Sequence, residues 1–225
     1  MVSRMQEWLS DAWYDFNYTA IWLGFHLAWS YRSDGFRYVP QRGPVLAVAN
    51  HQSFLDPLLV GLAVRRRFTY LARKTLFKNP VFGRYLKSVR CVPVDQEGVA
   101  KEGLKTILEK LHQGNAVLVF PEGERTPSGD MQQLRPGVQL LVKRGNCPVL
   151  PVGLAGGYQA FPRSVKFPRF SPLFMPAGRA TVAAVVGPPL DSKKLAELPR
   201  DELLKVLYQA IDRARLKAEA LRRKP

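Results

Sequence analysis

VLAVANHQSFLDPLLVGLAV, residues 45–64, decides the fold. VLAVAN (45–50) is a short apolar run after Gly43-Pro44, the length and composition of a buried strand. SFLDPLLVGLAV (53–64) is a longer apolar run that reads as a helix, and only a few residues separate the two. The same alternation continues outward. FTYLAR (68–73) predicts the next strand, residues 76–88 a helix, and CVPV (91–94) an extended segment. GVAKEGLKTILEKLHQG (98–114) is amphipathic at helical spacing and stops at Gly114. AVLVFPEG (116–123) is a buried strand running into a turn, residues 133–144 are helical, and CPVLPVGLAG (147–156) is a further strand. ATVAAVVG (180–187) is expected to close the sheet, and residues 199–222 to form a long basic helix. Strands alternating with helices predict an α/β fold with a largely parallel central sheet flanked by helices.

Composition narrows the function. The chain has 225 residues, with 34 Lys plus Arg against 18 Asp plus Glu and a formal net charge of +16. Hydrophobic residues at 46% and aromatics at 11% exclude a disordered chain. Two cysteines, Cys91 and Cys147, cannot build a disulfide framework or a four-cysteine zinc site, and they read as buried thiols. No acidic residue lies between Asp56 and Asp95, where Arg65, Arg66, Arg67, Arg73, Lys74, Lys78, Arg84, Lys87 and Arg90 are found. Such a surface calls for an anionic partner: nucleic acid, an anionic membrane or a phosphorylated substrate.

The N-terminus discriminates among these. Trp8, Trp13, Trp22 and Trp29 are all the tryptophans of the chain, and residues 16–31 (FNYTAIWLGFHLAWSY) carry no formal charge. The run is shorter than the roughly 20 apolar residues of a spanning helix. Tryptophan and tyrosine favour the headgroup level of a bilayer. Residues 5–31 therefore predict a helix lying on or dipping into a membrane, the alternative being a helix that packs on the core. The expected organisation is a membrane-associating helical segment at 1–35 followed by one domain at 36–225. Residues 157–178, rich in phenylalanine and proline with Arg163, Lys166 and Arg169, read as a substrate-side or membrane-side loop. A nucleic-acid-binding module would explain the charge but not the tryptophans, and no helix-turn-helix, RNA-recognition or zinc pattern is present.

Two constellations carry chemistry. In NHQSFLDP (50–57), His51 and Asp56 are five residues apart at a strand-to-helix junction. On a continuous helix they would point about 140° apart. With His51 in a loop, Asp56 can fold back on the imidazole, fix its tautomer and support the charge when the other nitrogen accepts a proton. This is the base and orienter of a triad without its nucleophile, and it works if the substrate brings a hydroxyl. The competing reading makes Ser53-x-x-Asp56 a capping box and His51 a bystander. In FPEGERTPSG (120–129), Gly123 permits close approach of a ligand and Arg125 offers a fork for phosphate; a surface Glu–Arg pair is the alternative.

Together the two blocks resemble those of the glycerolipid acyltransferases, whose motifs are N-H-x4-D and F-P-E-G-T-R-S. GRYLKSVRCVPVD (83–95) and VLPVGLAG (149–156) resemble the family's other two blocks in the same order, so the similarity covers about residues 40–190. The resemblance implies an enzyme at the cytosolic face of a membrane that moves a fatty acyl group from a thioester, on coenzyme A or acyl carrier protein, to the free hydroxyl of a lysophospholipid. The style is closest to the bacterial 1-acyl-glycerol-3-phosphate acyltransferases. His51 would be the general base and Asp56 its orienter. Glu122, Gly123 and Arg125 would form the acceptor site, with Arg125 on its phosphate and Lys74 assisting. No metal or cofactor is implied, and no nucleic-acid partner. The chain departs from the pattern at Gln96, where arginine is usual, at Glu124 for threonine, and at Thr126 for serine. A neighbouring cation such as Arg90, Arg84 or Arg135 could substitute for it.

Overall fold

The computed structural model describes residues 4–94 and 100–222. Seven strands form one sheet in the order β1-β7-β6-β2-β5-β3-β4. They are β1 (Arg32–Asp34), β2 (Val45–Ala49), β3 (Phe68–Arg73), β4 (Cys91–Val94), β5 (Ala116–Val119), β6 (Val149–Ala155) and β7 (Ala183–Val186). At the centre β2 runs parallel to β5, Val45 opposite Ala116, and parallel to β6, Leu46 opposite Val149. β3 extends the parallel set to β5 on one side and β4 on the other. Among the described strands only β6 and β7 pair antiparallel.

β2 is buried along its whole length, so its two sets of alternating side chains serve two cores. Val45, Ala47 and Ala49 face Leu59, Val60 and Ala63 of helix α2 (Asp56–Val64), with Phe25 of helix α1 (Arg4–Trp29) in the same core. Leu46 and Val48 face the opposite layer. That layer is built from Ile107 and Leu111 of α4 (Ala100–His112), Leu141 of α5 (Gly137–Gly145), Leu195 of α7 (Ser192–Glu197), and Leu203, Leu207 and Ile211 of α8 (Arg200–Leu221). Among the described residues there are two further α-helices, α3 (Pro80–Ser88) and the single turn α6 (Gly157–Ala160).

The expected α/β architecture is therefore present, with instructive differences. β7 does not close the sheet; it lies inside it, between β6 and β1. The strand outside it, Arg-Ser-Asp at 32–34, has no apolar pattern to announce it and is held by pairing with Ala183, Ala184 and Val185. It belongs to the leading segment 1–35, which thus contributes a strand to the sheet. The helix expected at 76–88 starts only at Pro80, because Asn79 accepts the N–H groups of Val81 and Phe82, both at 3.0 Å, and caps it there. α5 begins after Pro136 rather than at 133, since the Arg135 N–H is used by the Pro121 carbonyl at 2.8 Å.

α1 packs one face on the core, as the alternative reading of the N-terminus has it, and leaves aromatic residues exposed on the other. Phe25 is buried, and Tyr18, Ile21 and Trp29 pack on the core. Trp8, Trp13, Phe16, Trp22, Leu23 and Leu27 point outward. Among the described residues no helix is long and apolar enough to cross a membrane.

Candidate functional site

The carboxyl ends of the parallel strands converge on one edge, where a crevice is the usual place for a ligand in such sheets. β2 ends at Ala49, and Asn50 then replaces the ladder with its side chain. Its amide donates to the Leu154 carbonyl at 3.0 Å and accepts the Leu154 N–H at 2.7 Å. This fastens the end of β2 to β6 and lets the chain turn out at His51.

Residues 51–55 form the turn that the helix expected at 53–64 would have consumed. α2 starts at Asp56, with Leu55 at its N-cap and no side-chain cap bond. Asp56 faces backward into the loop. Its Oδ2 lies 2.8 Å from His51 Nδ1 and also accepts the backbone N–H groups of Gln52 and of Ser53, the latter at 2.7 Å. The capping-box bonds are present, Asp56 reaching back to the Ser53 N–H and Ser53 Oγ accepting a helix N–H, but His51 is no bystander, since the same Asp56 oxygen holds its Nδ1. Ser53 Oγ accepts the Leu55 N–H at 3.1 Å and donates to the Phe161 carbonyl at 2.7 Å. Asp56 is fully buried, and its Oδ1 has no hydrogen-bond partner among the described residues. Gly157 lies against that oxygen: a Cβ there would stand 2.9 Å from Oδ1 and 3.1 Å from Ser53 Cβ.

The imidazole stacks on Phe120 with centroids 4.0 Å apart and planes 14° apart. With Nδ1 held by the carboxylate, Nε2 is the nitrogen left for chemistry, and the side chain keeps 18% of its surface open. An Asp-bound imidazole with an open Nε2 can accept a proton from a hydroxyl that approaches it.

The loop after β5 holds His51 from the other side. Glu122, expected at the acceptor site, is only 3% exposed. Its Oε1 accepts the His51 N–H at 2.7 Å and its Oε2 the Gln132 N–H at 2.8 Å. It therefore positions the His51 backbone and has no oxygen turned to a ligand. Burial raises its pKa above the ordinary carboxylate range, against the lowering effect of those two N–H groups. The Thr126 N–H donates to the His51 carbonyl at 2.9 Å, completing the clamp. Gly123 adopts φ +82, and a Cβ there would run into the Arg135 side chain at Nε. That arginine donates to the Glu122 carbonyl at 3.1 Å.

Arg125 fits the expectation of an anion site better than Glu122 does. Its guanidinium lies 3.4 Å over the centre of the Phe54 ring, and its Nη1 is buried without a hydrogen-bond partner among the described residues. Burial, and then the nearby cation Arg73, lower its pKa; Asp56 opposes this and Arg163 adds to it. Lys74 follows Arg73 directly at the carboxyl end of β3 and is exposed.

Of the cations expected to replace the missing arginine, none stands beside Arg125. Arg90 lies 3.6 Å from Asp11 and over the Tyr14 ring, Arg84 donates to the Pro80 carbonyl, and Arg135 braces Gly123. Gln96 itself lies outside the described residues. Arg73 and Arg163 are the neighbours instead, and the sequence reading passed over both in this role. Asn50 and Gly157 were likewise missed, although both sit inside quoted motifs or beside them. Among the described residues no group of three or more His, Cys, Asp or Glu side chains is placed to hold a metal ion.

The chain is similar to known proteins. The family model described as Acyltransferase matches residues 31–155, more than half of the chain. The Bacillus subtilis protein named 1-acyl-sn-glycerol-3-phosphate acyltransferase is 28% identical over 175 residues, 77% of this chain and 80% of that one. A Mycoplasma genitalium protein, a probable 1-acyl-sn-glycerol-3-phosphate acyltransferase, is 34% identical over 127 residues, 53% of this chain and 47% of its own. Among solved structures, the 1-acyl-sn-glycerophosphate acyltransferase PlsC of Thermotoga maritima superposes with a TM-score of 0.76 at 24% identity, over 100% of this chain and 86% of that one. At that identity the likeness establishes the fold.

Proposed function

The chain belongs to the acyltransferase family, and from that premise we propose that it transfers a fatty acyl group from a thioester to the free hydroxyl of 1-acyl-glycerol-3-phosphate, giving phosphatidic acid. The observation that carries this reading is the His51–Asp56 pair, buried at Asp56 and open at His51, with the buried, unpartnered Nη1 of Arg125 beside the same loop. His51 Nε2 takes the hydroxyl proton as the acceptor oxygen attacks the thioester carbonyl carbon. The tetrahedral intermediate collapses, the carbon–sulfur bond breaks, and the departing thiolate takes the proton back from Nε2. Asp56 holds the Nδ1 proton throughout and supports the transient imidazolium. Arg125, with Arg73 near it, receives the acceptor phosphate, whose two charges relieve the crowding of cations there, and Lys74, next to Arg73 in the chain, assists. The scheme needs no metal or organic cofactor.

The acceptor has one acyl chain and stays in a bilayer, so the enzyme works as a peripheral or monotopic protein at the cytoplasmic face of a membrane. The outward aromatic face of α1 and the acid-free basic stretch at 57–94 supply two kinds of attraction. Charge attraction is screened within about 8 Å at physiological salt, whereas aromatic burial is not. Binding to anionic vesicles accordingly weakens with salt without vanishing.

The test is thiol release by the purified protein with acyl-coenzyme A and acyl carrier protein thioesters against lysolipids of different head groups. Release that requires 1-acyl-glycerol-3-phosphate supports the reading. Release only with head groups lacking a terminal phosphate contradicts it.

A further inference from the structure

Residues 161–179 carry an apolar tip that neither the fold nor the reaction uses. Phe167 and Phe174 are 81% and 77% exposed, and Phe170 and Met175 are also exposed. Large apolar side chains gathered at a surface mark a place that something covers. Exposed Arg163, Lys166, Arg169 and Arg179 lie in the same segment. No Asp or Glu occurs between Asp130 and Asp191. Pro162, Pro168, Pro172 and Pro176 restrict the backbone between the rings.

The tip is fastened at both sides. Towards α1, the Ser171 and Leu173 N–H groups donate to the carbonyls of Ala28 and Leu27 at 2.9 and 3.0 Å. Trp29 Nε1 donates to the Arg169 carbonyl at 2.8 Å, and the Trp29 ring lies 5.1 Å from Phe170. Towards the catalytic loop, Ser53 Oγ donates to the Phe161 carbonyl, and the Phe161 ring lies 5.1 Å from Phe54, the ring that Arg125 covers. One segment thus joins the outward face of α1 to the loop that bears His51.

We infer that residues 163–175 are a lip that enters the headgroup layer of an anionic bilayer beside the active-site mouth and holds His51 at the depth of the acceptor hydroxyl. The inference rests on the membrane-borne acceptor proposed above. A bilayer is the occupant that matches the surface: apolar chains receive the phenyl rings, lipid phosphates receive the exposed Lys166, Arg169 and Arg179, and the neighbouring Glu124 carboxylate is neutralised by Arg163 at 3.2 Å. The tip also continues the exposed apolar face of α1 at Leu23 and Leu27, so both meet the same layer.

The experiment uses the full chain and vesicles of phosphatidylcholine mixed with phosphatidylglycerol. An environment-sensitive fluorophore is attached at Phe174→Cys. Cys147 is buried, and burial pushes the Cys91 thiol up to about 11, so labelling near neutral pH is selective for the new thiol. The label shifts to the blue on vesicles and is quenched by lipid-borne spin labels. In a separate variant, Phe167→Asp with Phe174→Asp, vesicle affinity falls at least about tenfold, since burying one phenylalanine is worth about that factor. Turnover of a vesicle-borne acceptor falls with it, while a short-chain, water-soluble acceptor is turned over as before. An unshifted label together with unchanged vesicle affinity overturns the lip. So does a concentration-dependent dimer in solution that these substitutions abolish, with no label shift on vesicles. The label reading is independent of activity: wild-type protein that releases no thiol with the lysolipid would overturn the proposed reaction, and the lip would stand or fall on the fluorophore alone.

Discussion

The two loops that meet at the active site are built on opposite terms. Around His51 the structure supplies a fixed frame. Asp56 gathers the imidazole and two backbone N–H groups on one oxygen, Glu122 holds the His51 N–H, and Thr126 holds its carbonyl. Around Arg125 the structure gathers like charges, with Arg73 and a Glu124-paired Arg163 near a half-buried guanidinium that has an unpartnered Nη1. A base held at its side chain and at both backbone groups is ready for chemistry before substrate arrives. A cluster of cations left incomplete is ready for an anion. The difference predicts that damage to the first loop appears in kcat and damage to the second in KM.

Asp56→Asn has the largest effect of the changes that test this division. Asparagine can still accept the Gln52 and Ser53 N–H groups, so the fold persists, but it does not fix the Nδ1–H tautomer with a charge. We expect kcat to fall about 1,000-fold, by the logic of the triad carboxylate. A near-neutral result would return Asp56 to the role of a helix-terminal residue. Gly157→Ala comes next. Its methyl group would press on Asp56 Oδ1 at 2.9 Å, and a small misplacement of the base costs about 100-fold in kcat, with KM for the acceptor little changed. Equal losses in kcat and acceptor affinity would show that the turn after β6 serves binding as well as positioning.

Arg125→Ala tests the second loop. Loss of a charged fork to phosphate raises KM for 1-acyl-glycerol-3-phosphate about 10- to 100-fold and leaves KM for the acyl thioester nearly unchanged. Equal effects on both substrates would move Arg125 out of the acceptor site.

The smallest effect is thermodynamic. Because burial raises the Glu122 pKa in the folded protein, the folded state binds this proton more readily than the unfolded one. Its contribution to stability is full below the ordinary carboxylate range and is lost as pH rises through the raised pKa. Glu122→Gln has no such titration. It also places an amide N–H against a backbone N–H, at a cost of about 1–3 kcal/mol. The stability difference between wild type and Glu122→Gln, followed by denaturant unfolding, therefore falls as pH rises across that window. A difference that grows with pH would mean that the two N–H groups outweigh burial.

Much of this arrangement can be read along the chain, and the limits have physical causes. Apolar runs at 45–50, 116–119 and 149–155 mark the buried strands because both of their faces are covered, and the spacing of His51, Asp56, Gly123 and Arg125 locates the site. β1 escapes notice because three residues, two of them charged, gain their order from β7 and not from their own pattern. The role of Glu122 escapes because its partners, the N–H groups of His51 and Gln132, are backbone groups that look alike in every sequence. Arg73 and Arg163 are two cations among many; only the folded chain brings them to Arg125 from β3 and from the loop after β6. Gly157 had a weak signal, a second glycine directly after a buried strand, but what it touches depends on α2.

The most direct test of the account is thiol release by wild type and His51→Ala side by side, with an acyl thioester and 1-acyl-glycerol-3-phosphate, after circular dichroism and thermal unfolding have shown the variant folded. The account predicts that turnover falls roughly 100- to 10,000-fold while the variant still binds both substrates. Turnover within a few-fold of wild type in the folded variant would contradict it.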